Sequence, residues 1–362
     1  MRPTGAIGAD RVPVRADLAD VEPYGAPQLD VPVRLNTNET AEPPPAGYLE
    51  EVGRRIQGLE LNRYPDRPAT ELREALAGRV GLTTDRVWAA NGSNEVLQQL
   101  LQAYGGPDRL ALHVRPGYSM YPELCRTSLT PTVEVDLDER FELSAEVAAE
   151  AVAIHDPDVV LIPSPNNPVG TPVTHDAIRA LHDGSRALVV VDEAYIEFAD
   201  AHLAALGLLD ELPRLVIVRT LSKAFRLAGL RLGYVLAPDW VVDDLQKVRL
   251  PYHLDAVKQV AGIVAVEQEA SFLGHRRRVA DERDRVAAAL QQRSDVEVFP
   301  SVANFVLVRS QRSDLFDRLL EHGVLVRDFS SKPRLEGCVR VTIGTVEEND
   351  AFLRALDASL AS

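Results

Sequence analysis

Five short apolar runs, each long enough for one buried strand, fix what this chain can fold into. They lie at residues 87–90, 110–114, 159–162, 187–191 and 215–218 of a 362-residue chain. Stretches with helical spacing separate them, as in Val96, Leu97, Leu100 and Leu101. Strands apolar on both faces, alternating with amphipathic helices, predict βαβ units and a mostly parallel sheet over about residues 85–240.

Past Pro251-Tyr-His253 the pattern changes. A long helical stretch is expected from Asp255 to Gln292, followed by short strands at 296–299, 304–309, 324–326 and 339–343. That order predicts a second, α+β domain. The run Arg276-Arg-Arg278 reads as a solvated helix face. Residues 1–47 contain eight prolines and no periodic segment, so an extended arm is expected, ordered by packing on something else. Thr70 is placed to cap a helix whose apolar face is Leu72, Ala75, Leu76 and Val80.

A net charge of −15 disfavours nucleic acid as a partner. Two cysteines, Cys125 and Cys338, form no CxxC, so neither a disulfide framework nor a metal site is expected, and a reducing cytoplasm fits. No apolar run approaches the roughly 18 residues of a membrane span. Residues 1–16 lack a signal-peptide core.

The chemistry-bearing residues gather just after the strands, where α/β sheets bind ligands. Lys223 follows the run 215–218, with Thr220 and Ser222 before it and Arg231 after it. A desolvated amine loses its proton readily and can form a Schiff base, and hydroxyls with a guanidinium suit a phosphate. A small molecule with both an aldehyde and a phosphate suggests pyridoxal phosphate. Asn91-Gly-Ser-Asn-Glu95 joins a strand to a helix N-terminus and is either an anion site or an ordinary cap. Tyr118 is either a ring-stacking residue or a packed loop aromatic. Asp192 closes an apolar strand and pairs either with a buried cation or with a helix end. Pro163-Ser-Pro-Asn-Asn-Pro-Val-Gly-Thr171 reads as a rigid loop. Arg327 and Arg340 lie on strands of the second domain; Arg340 has apolar neighbours and offers a fork to a carboxylate or phosphate, or to a structural ion pair.

Taken in order, these motifs resemble the pyridoxal-phosphate enzymes of the aspartate-aminotransferase fold, the class II aminotransferases. The carriers are Asn91-Gly-Ser-Asn-Glu95, Pro116-Gly-Tyr-Ser-Met-Tyr121, Ser164-Pro-Asn-Asn-Pro-Val-Gly170, Asp192-Glu-Ala-Tyr195, Ser222-Lys-Ala-Phe225 with Arg231, and Arg340. Within that family the chain most resembles the histidinol-phosphate aminotransferases. Pro23-Tyr-Gly-Ala-Pro-Gln28, Leu35-Asn-Thr-Asn-Glu39, Arg63-Tyr-Pro65, Ala194-Tyr-Ile-Glu-Phe198, Ala303-Asn-Phe305 and the Arg327–Arg340 spacing carry that likeness. It covers roughly residue 12 to the end.

The resemblance implies an α/β chain of pyridoxal-phosphate transferase fold type I. Residues 1–45 would be an N-terminal arm and part of a small domain, residues 46–260 the large cofactor-binding domain, and residues 261–362 the small α+β domain. Lys223 would bind pyridoxal 5'-phosphate as a Schiff base and move the substrate Cα proton. Asp192 would protonate the pyridine nitrogen, Tyr195 and Asn167 would meet the phenolic oxygen, and Tyr118 would stack on the ring. Gly92, Ser93, Asn94, Ser222 and Arg231 would cradle the phosphate, with Tyr64 reaching across a homodimer. Tyr24, Asn36, Arg327 and Arg340 would bind substrate. The implied reaction moves an amino group between histidinol phosphate and 2-oxoglutarate or glutamate, in histidine biosynthesis. Alternatives are an aromatic amino acid aminotransferase, a phospho-threonine decarboxylase, or a non-catalytic pyridoxal-type binding protein. Two places depart from the family pattern: Thr40-Ala-Glu-Pro-Pro44, where an Asn-Pro and an aromatic often follow the glutamate, and Val169, where threonine is usual.

Overall fold

The computed structural model describes residues 12–23 and 25–361. A short strand, β1 (Val33–Arg34), ends the arm. Seven strands then build the main sheet: β2 (Val87–Ala90), β3 (Ala111–Arg115), β4 (Thr132–Asp136), β5 (Val159–Pro163), β6 (Leu188–Asp192), β7 (Leu215–Thr220) and β8 (Gly233–Leu236). Their spatial order is β2-β8-β7-β6-β5-β3-β4. β8 runs antiparallel to β2 and β7, and the pairs from β7 to β4 are parallel. The expected parallel sheet is therefore present, with one antiparallel strand that its sequence did not announce.

The sheet forms because its central strands are apolar on both sides. All residues of β5, β6 and β7 are buried. Val189, Val191 and Ile217 pack on one face with Leu72, Leu76, Ile178 and Leu181. Val190, Val216 and Val218 pack on the other with Val96, Leu97, Leu100 and Leu245. Each such valine contributes about 1.5–3 kcal/mol relative to exposure. Strand alternation thus clamps the sheet between two helical layers, leaving its strand ends open to a ligand.

Four further strands, β9 (Val296–Val298), β10 (Phe305–Ser310), β12 (Arg327–Asp328) and β13 (Cys338–Thr342), make an antiparallel sheet in the order β12-β13-β10-β9. β11 (Val324–Leu325) pairs in parallel with β1, so the arm joins this second unit. Val33 and Leu35 share its core with Val306, Val341, Phe352 and Leu356.

Two expectations need correction. The stretch 255–292 is three helices, Ala256–Glu267, Glu269–Leu273 and Arg276–Gln291. At the second break His275 is fully buried and its Nδ1 lies 2.8 Å from the Phe272 carbonyl, a side-chain contact that competes with the helical ladder. Thr70 does not cap its helix; it is the first residue of Thr70–Val80, and its N–H donates to the Asp66 carboxylate at 2.6 Å. Arg276, Arg277 and Arg278 are exposed, as expected of a solvated face. Among the described residues no helix is long and apolar enough to cross a membrane.

Candidate active site

A cavity of about 380 Å³ opens where the carboxyl ends of the main sheet meet the second sheet and the arm. Its walls include Ser93, Asn94, Tyr118, Asn167, Asp192, Tyr195, Ser222, Lys223 and Arg231, with Asn36, Arg327 and Arg340 facing them. The sequence motifs, far apart along the chain, converge there because each closes, follows or adjoins a strand of the main sheet, lies on a strand of the second sheet, or ends the arm.

Lys223 lies three residues beyond the end of β7. Its Nζ donates to the Thr37 carbonyl at 2.8 Å and sits 5.9 Å from the centre of the Tyr195 ring. Burial, with help from the Arg340 and Arg231 charges, pushes the amine down from 10.5 to about 7, while Glu39 opposes the shift. Asp192 is the last residue of β6 and is buried. Its carboxyl accepts only neutral donors among the described residues: the Ala194 N–H at 3.2 Å and the Tyr121 hydroxyl at 3.4 Å. Burial therefore raises it to about 7, against the pull of those two hydrogen bonds.

The Tyr195 hydroxyl accepts from the side-chain amides of Asn38 at 3.0 Å and Asn167 at 3.4 Å. Asn167 Oδ1 in turn accepts from Arg340 at 2.5 Å, and a second Arg340 nitrogen donates to the Asn36 carbonyl at 2.7 Å. Arg340 is buried and its position on β13 is fixed by pairing with β10 and β12. Arg327 donates to the Gly25 carbonyl at 3.2 Å.

The other end of the cavity is built around the start of a helix, with hydroxyls and a guanidinium beside it. Gly92 precedes the helix Ser93–Tyr104 at φ +90°, and a Cβ there would lie 2.7 Å from an Arg231 nitrogen. The positive φ favours glycine, and a Cβ would push the Arg231 guanidinium aside. Arg231 donates to Ser222 Oγ at 3.3 Å, and the Thr220 hydroxyl meets Ser222 Oγ at 2.9 Å. Hydroxyls, a guanidinium and the N-terminus of a helix form an anion site. Tyr118 donates from its hydroxyl to Asn94 Oδ1 at 3.1 Å.

One expected site residue stands apart. Tyr64 does not line the cavity of its own chain; it is 79% exposed and stacks on Tyr252 with ring centroids 4.3 Å apart. Tyr24 lies outside the described residues. Sequence reading also passed over Asn38, Thr37 and Tyr121 as site members. The signal for Asn38 was available: a polar run, residues 36–40, ends an arm that must pack on something.

A family model described as aminotransferase class I and II matches residues 31–356. The chain is 46% identical to the histidinol-phosphate aminotransferase of Nocardia farcinica over 97% of its length and 93% of that protein's. It is 45% identical to the histidinol-phosphate aminotransferase of Frankia casuarinae over 99% of its length and 93% of that protein's. Among solved structures, the histidinol-phosphate aminotransferase of Sinorhizobium meliloti in complex with pyridoxal-5'-phosphate superposes with a TM-score of 0.83 at 24% identity, covering 91% of each chain. The L-threonine-O-3-phosphate decarboxylase of Porphyromonas gingivalis has the same fold, with a TM-score of 0.80 at 24% identity over 91% of this chain and all of that one. Fold alone therefore does not choose among these reactions. With the family model spanning both sheets and the site between them, the chain belongs to the class I and II aminotransferases.

Proposed function

We propose that this chain is a pyridoxal 5'-phosphate-dependent aminotransferase that moves an amino group between L-histidinol phosphate and 2-oxoglutarate, in histidine biosynthesis. One observation carries the substrate reading: β12 and β13 set Arg327 directly opposite Arg340, and both line the cavity. Like charges in opposed positions repel, and a dianionic phosphate ester between them relieves that repulsion. The names of the relatives at 45–46% identity support the same substrate.

The cavity fits the cofactor. Gly92 leaves space that a Cβ would fill, beside the Ser93, Ser222 and Arg231 donors for a phosphate. Asp192 has no ion pair among the described residues and suits a protonated pyridine nitrogen. Bound there, pyridoxal phosphate supplies an electron sink for the pair left when a proton leaves the substrate Cα.

The protein's own groups do the rest. Lys223 Nζ would bind the cofactor aldehyde and, once displaced by the substrate amine, carry the proton from Cα. Its lowered pKa leaves neutral amine available near neutral pH. Asp192 would hold the proton on the ring nitrogen, and a cation there draws its carboxyl back towards the ordinary range. Tyr195, oriented by Asn38 and Asn167, would donate to the phenolic oxygen. Tyr118, tethered to Asn94, would cover the ring face. Arg340 would take the carboxylate of glutamate and the phosphate of histidinol phosphate in turn, with Asn36, Arg327 and Tyr24 completing the substrate site.

We also read the protein as a cytoplasmic homodimer. Tyr64, Leu61, Leu250 and Tyr252 leave exposed apolar surface around the Tyr64–Tyr252 stack, and Tyr64 would reach the partner's phosphate cradle. The division into a large unit, 46–260, and a small unit, 261–362 with part of the 1–45 arm, follows the two sheets; we shift its boundary to the end of Ala256–Glu267, because that helix packs on the large unit, where Tyr48 donates to the Ala261 carbonyl at 3.0 Å.

Steady-state turnover with a panel of amino donors tests the reading. Histidinol phosphate should give the highest kcat/KM, ahead of phenylalanine and tyrosine. A higher value for an aromatic donor would overturn the substrate, and release of carbon dioxide from O-phosphothreonine would overturn the reaction class.

A further inference from the structure

The stretch that departs from the family pattern, Thr40-Ala-Glu-Pro-Pro44, lies along the loop that carries Lys223. Four residues of the first segment, Thr37, Thr40, Glu42 and Pro43, contact Lys223 or Arg226 of the second. The Thr37 carbonyl accepts from Lys223 Nζ at 2.8 Å, and the Thr40 hydroxyl donates to the Lys223 carbonyl at 2.8 Å. Three residues on, Arg226 donates to the Pro43 carbonyl at 3.1 Å and pairs with the Glu42 carboxylate at 3.1 Å. Glu42 also receives Arg278 from the helix Arg276–Gln291, at 2.8 and 3.0 Å.

Arg226 is unusual in its backbone as well. Its φ of +54° lies in the left-handed region, which a non-glycine residue occupies only where its surroundings over-determine it. Those surroundings are Glu42, Pro43, the His275 Nδ1, which accepts from Arg226 at 3.1 Å, and the Phe272 carbonyl, which accepts at 3.2 Å. The Arg226 side chain is only 8% exposed, so its charge needs the Glu42 partner more than a surface arginine would. Arg278 makes the shorter contacts with Glu42 but is 63% exposed, so water can replace Glu42 there.

We infer that residues 37–43 form a strap that positions Lys223, and that Glu42 latches it by holding Arg226. This rests on the reading of Lys223 as the cofactor lysine. Glu42 does not line the cavity, so it is a positioning residue. The strap fixes Lys223 at both ends, its carbonyl through Thr40 and its amine through Thr37. A base that must both bind an aldehyde and then move a proton loses rate when its loop wanders, because reacting atoms must be held near contact distance.

The test is Glu42→Gln in the cofactor-loaded enzyme, which keeps the side-chain size and removes the charge. Hydrogen–deuterium exchange should quicken in peptides spanning residues 37–43 and 223–226. The kcat should fall about threefold to tenfold with little change in KM for 2-oxoglutarate, since proton transfer depends on position and the substrate contacts are untouched. Arg226→Lys, which keeps charge but loses the fork, should act through the same pair, so the double variant should be no worse than the poorer single one. Unchanged exchange in both peptides, or losses that simply add, would overturn the strap. Borohydride reduction and peptide mapping of the parent separate the two readings: an adduct on Lys223 keeps the site assignment even if the strap fails, and an adduct elsewhere removes the basis of both.

Discussion

Arg327 on β12 stands directly opposite Arg340 on β13, and both line a cavity that also holds the Ser222 hydroxyl and the Arg231 guanidinium. The two are not equivalent. Arg340 is buried and oriented by Asn167 and Asn36, whereas Arg327 is partly exposed and reaches the Gly25 carbonyl. A preoriented fork suits the anion that each substrate presents in turn, carboxylate or phosphate, and a looser second guanidinium suits the extra charge of a phosphate ester.

Arg327→Ala should therefore hurt histidinol phosphate more than glutamate. A hydrogen bond to a charged group contributes roughly 1.5–3 kcal/mol, so the ratio of specificity constants should shift about tenfold to a hundredfold. Arg340→Ala should weaken both substrates. An unchanged ratio in Arg327→Ala would favour the aromatic aminotransferase instead.

Asp192 should reveal itself in stability as well as in turnover. Burial raises its carboxyl from 3.8 to about 7 in the cofactor-free protein. The unfolded chain releases that proton near its ordinary pKa, so between about pH 4 and 7 the folded state binds the extra proton. Stability from this group is thus greatest at the acid end of the window and falls as pH rises. Asp192→Asn should remove that decline, seen as a flatter Tm against pH from 4.5 to 7. Lys223, lowered from 10.5 to about 7, acts only above that window, where it makes stability rise with pH. Parallel curves for parent and Asp192→Asn would contradict the burial argument. In the loaded enzyme the same variant should lose turnover by orders of magnitude, at about 1.4 kcal/mol of barrier per tenfold.

Tyr64 predicts complementation between subunits. A Tyr64→Phe chain mixed with a Lys223→Ala chain should form heterodimers in which one site carries both defects and the other neither. The intact site should restore tight cofactor binding and about half the parent activity per dimer, as one site of two. Sedimentation showing an active monomer would end the cross-subunit reading.

What the sequence made legible was set by burial. The strands at 159–163, 188–192 and 215–220 are apolar on both faces, so their runs announced them. β4 alternates exposed and half-buried residues at the sheet edge, and no run marked it. The cavity-lining residues of the main sheet close or follow buried strands, and those strands marked them in the sequence. Asn38, Thr37 and Tyr121 were not marked, because each acts through another residue: Asn38 and Tyr121 on Tyr195 and Asp192, Thr37 through a backbone carbonyl whose side chain carries no signal. The break at Gly274-His275 depends on a buried imidazole meeting a carbonyl, a contact that periodicity cannot see.

The most direct measurement is a half-reaction followed by visible absorbance. The enzyme loaded with pyridoxal phosphate should absorb in the visible through its link to Lys223. Histidinol phosphate alone, with no keto acid, should bleach that band within a single turnover, and 2-oxoglutarate should restore it. A band that survives histidinol phosphate but bleaches with phenylalanine or tyrosine would contradict the account.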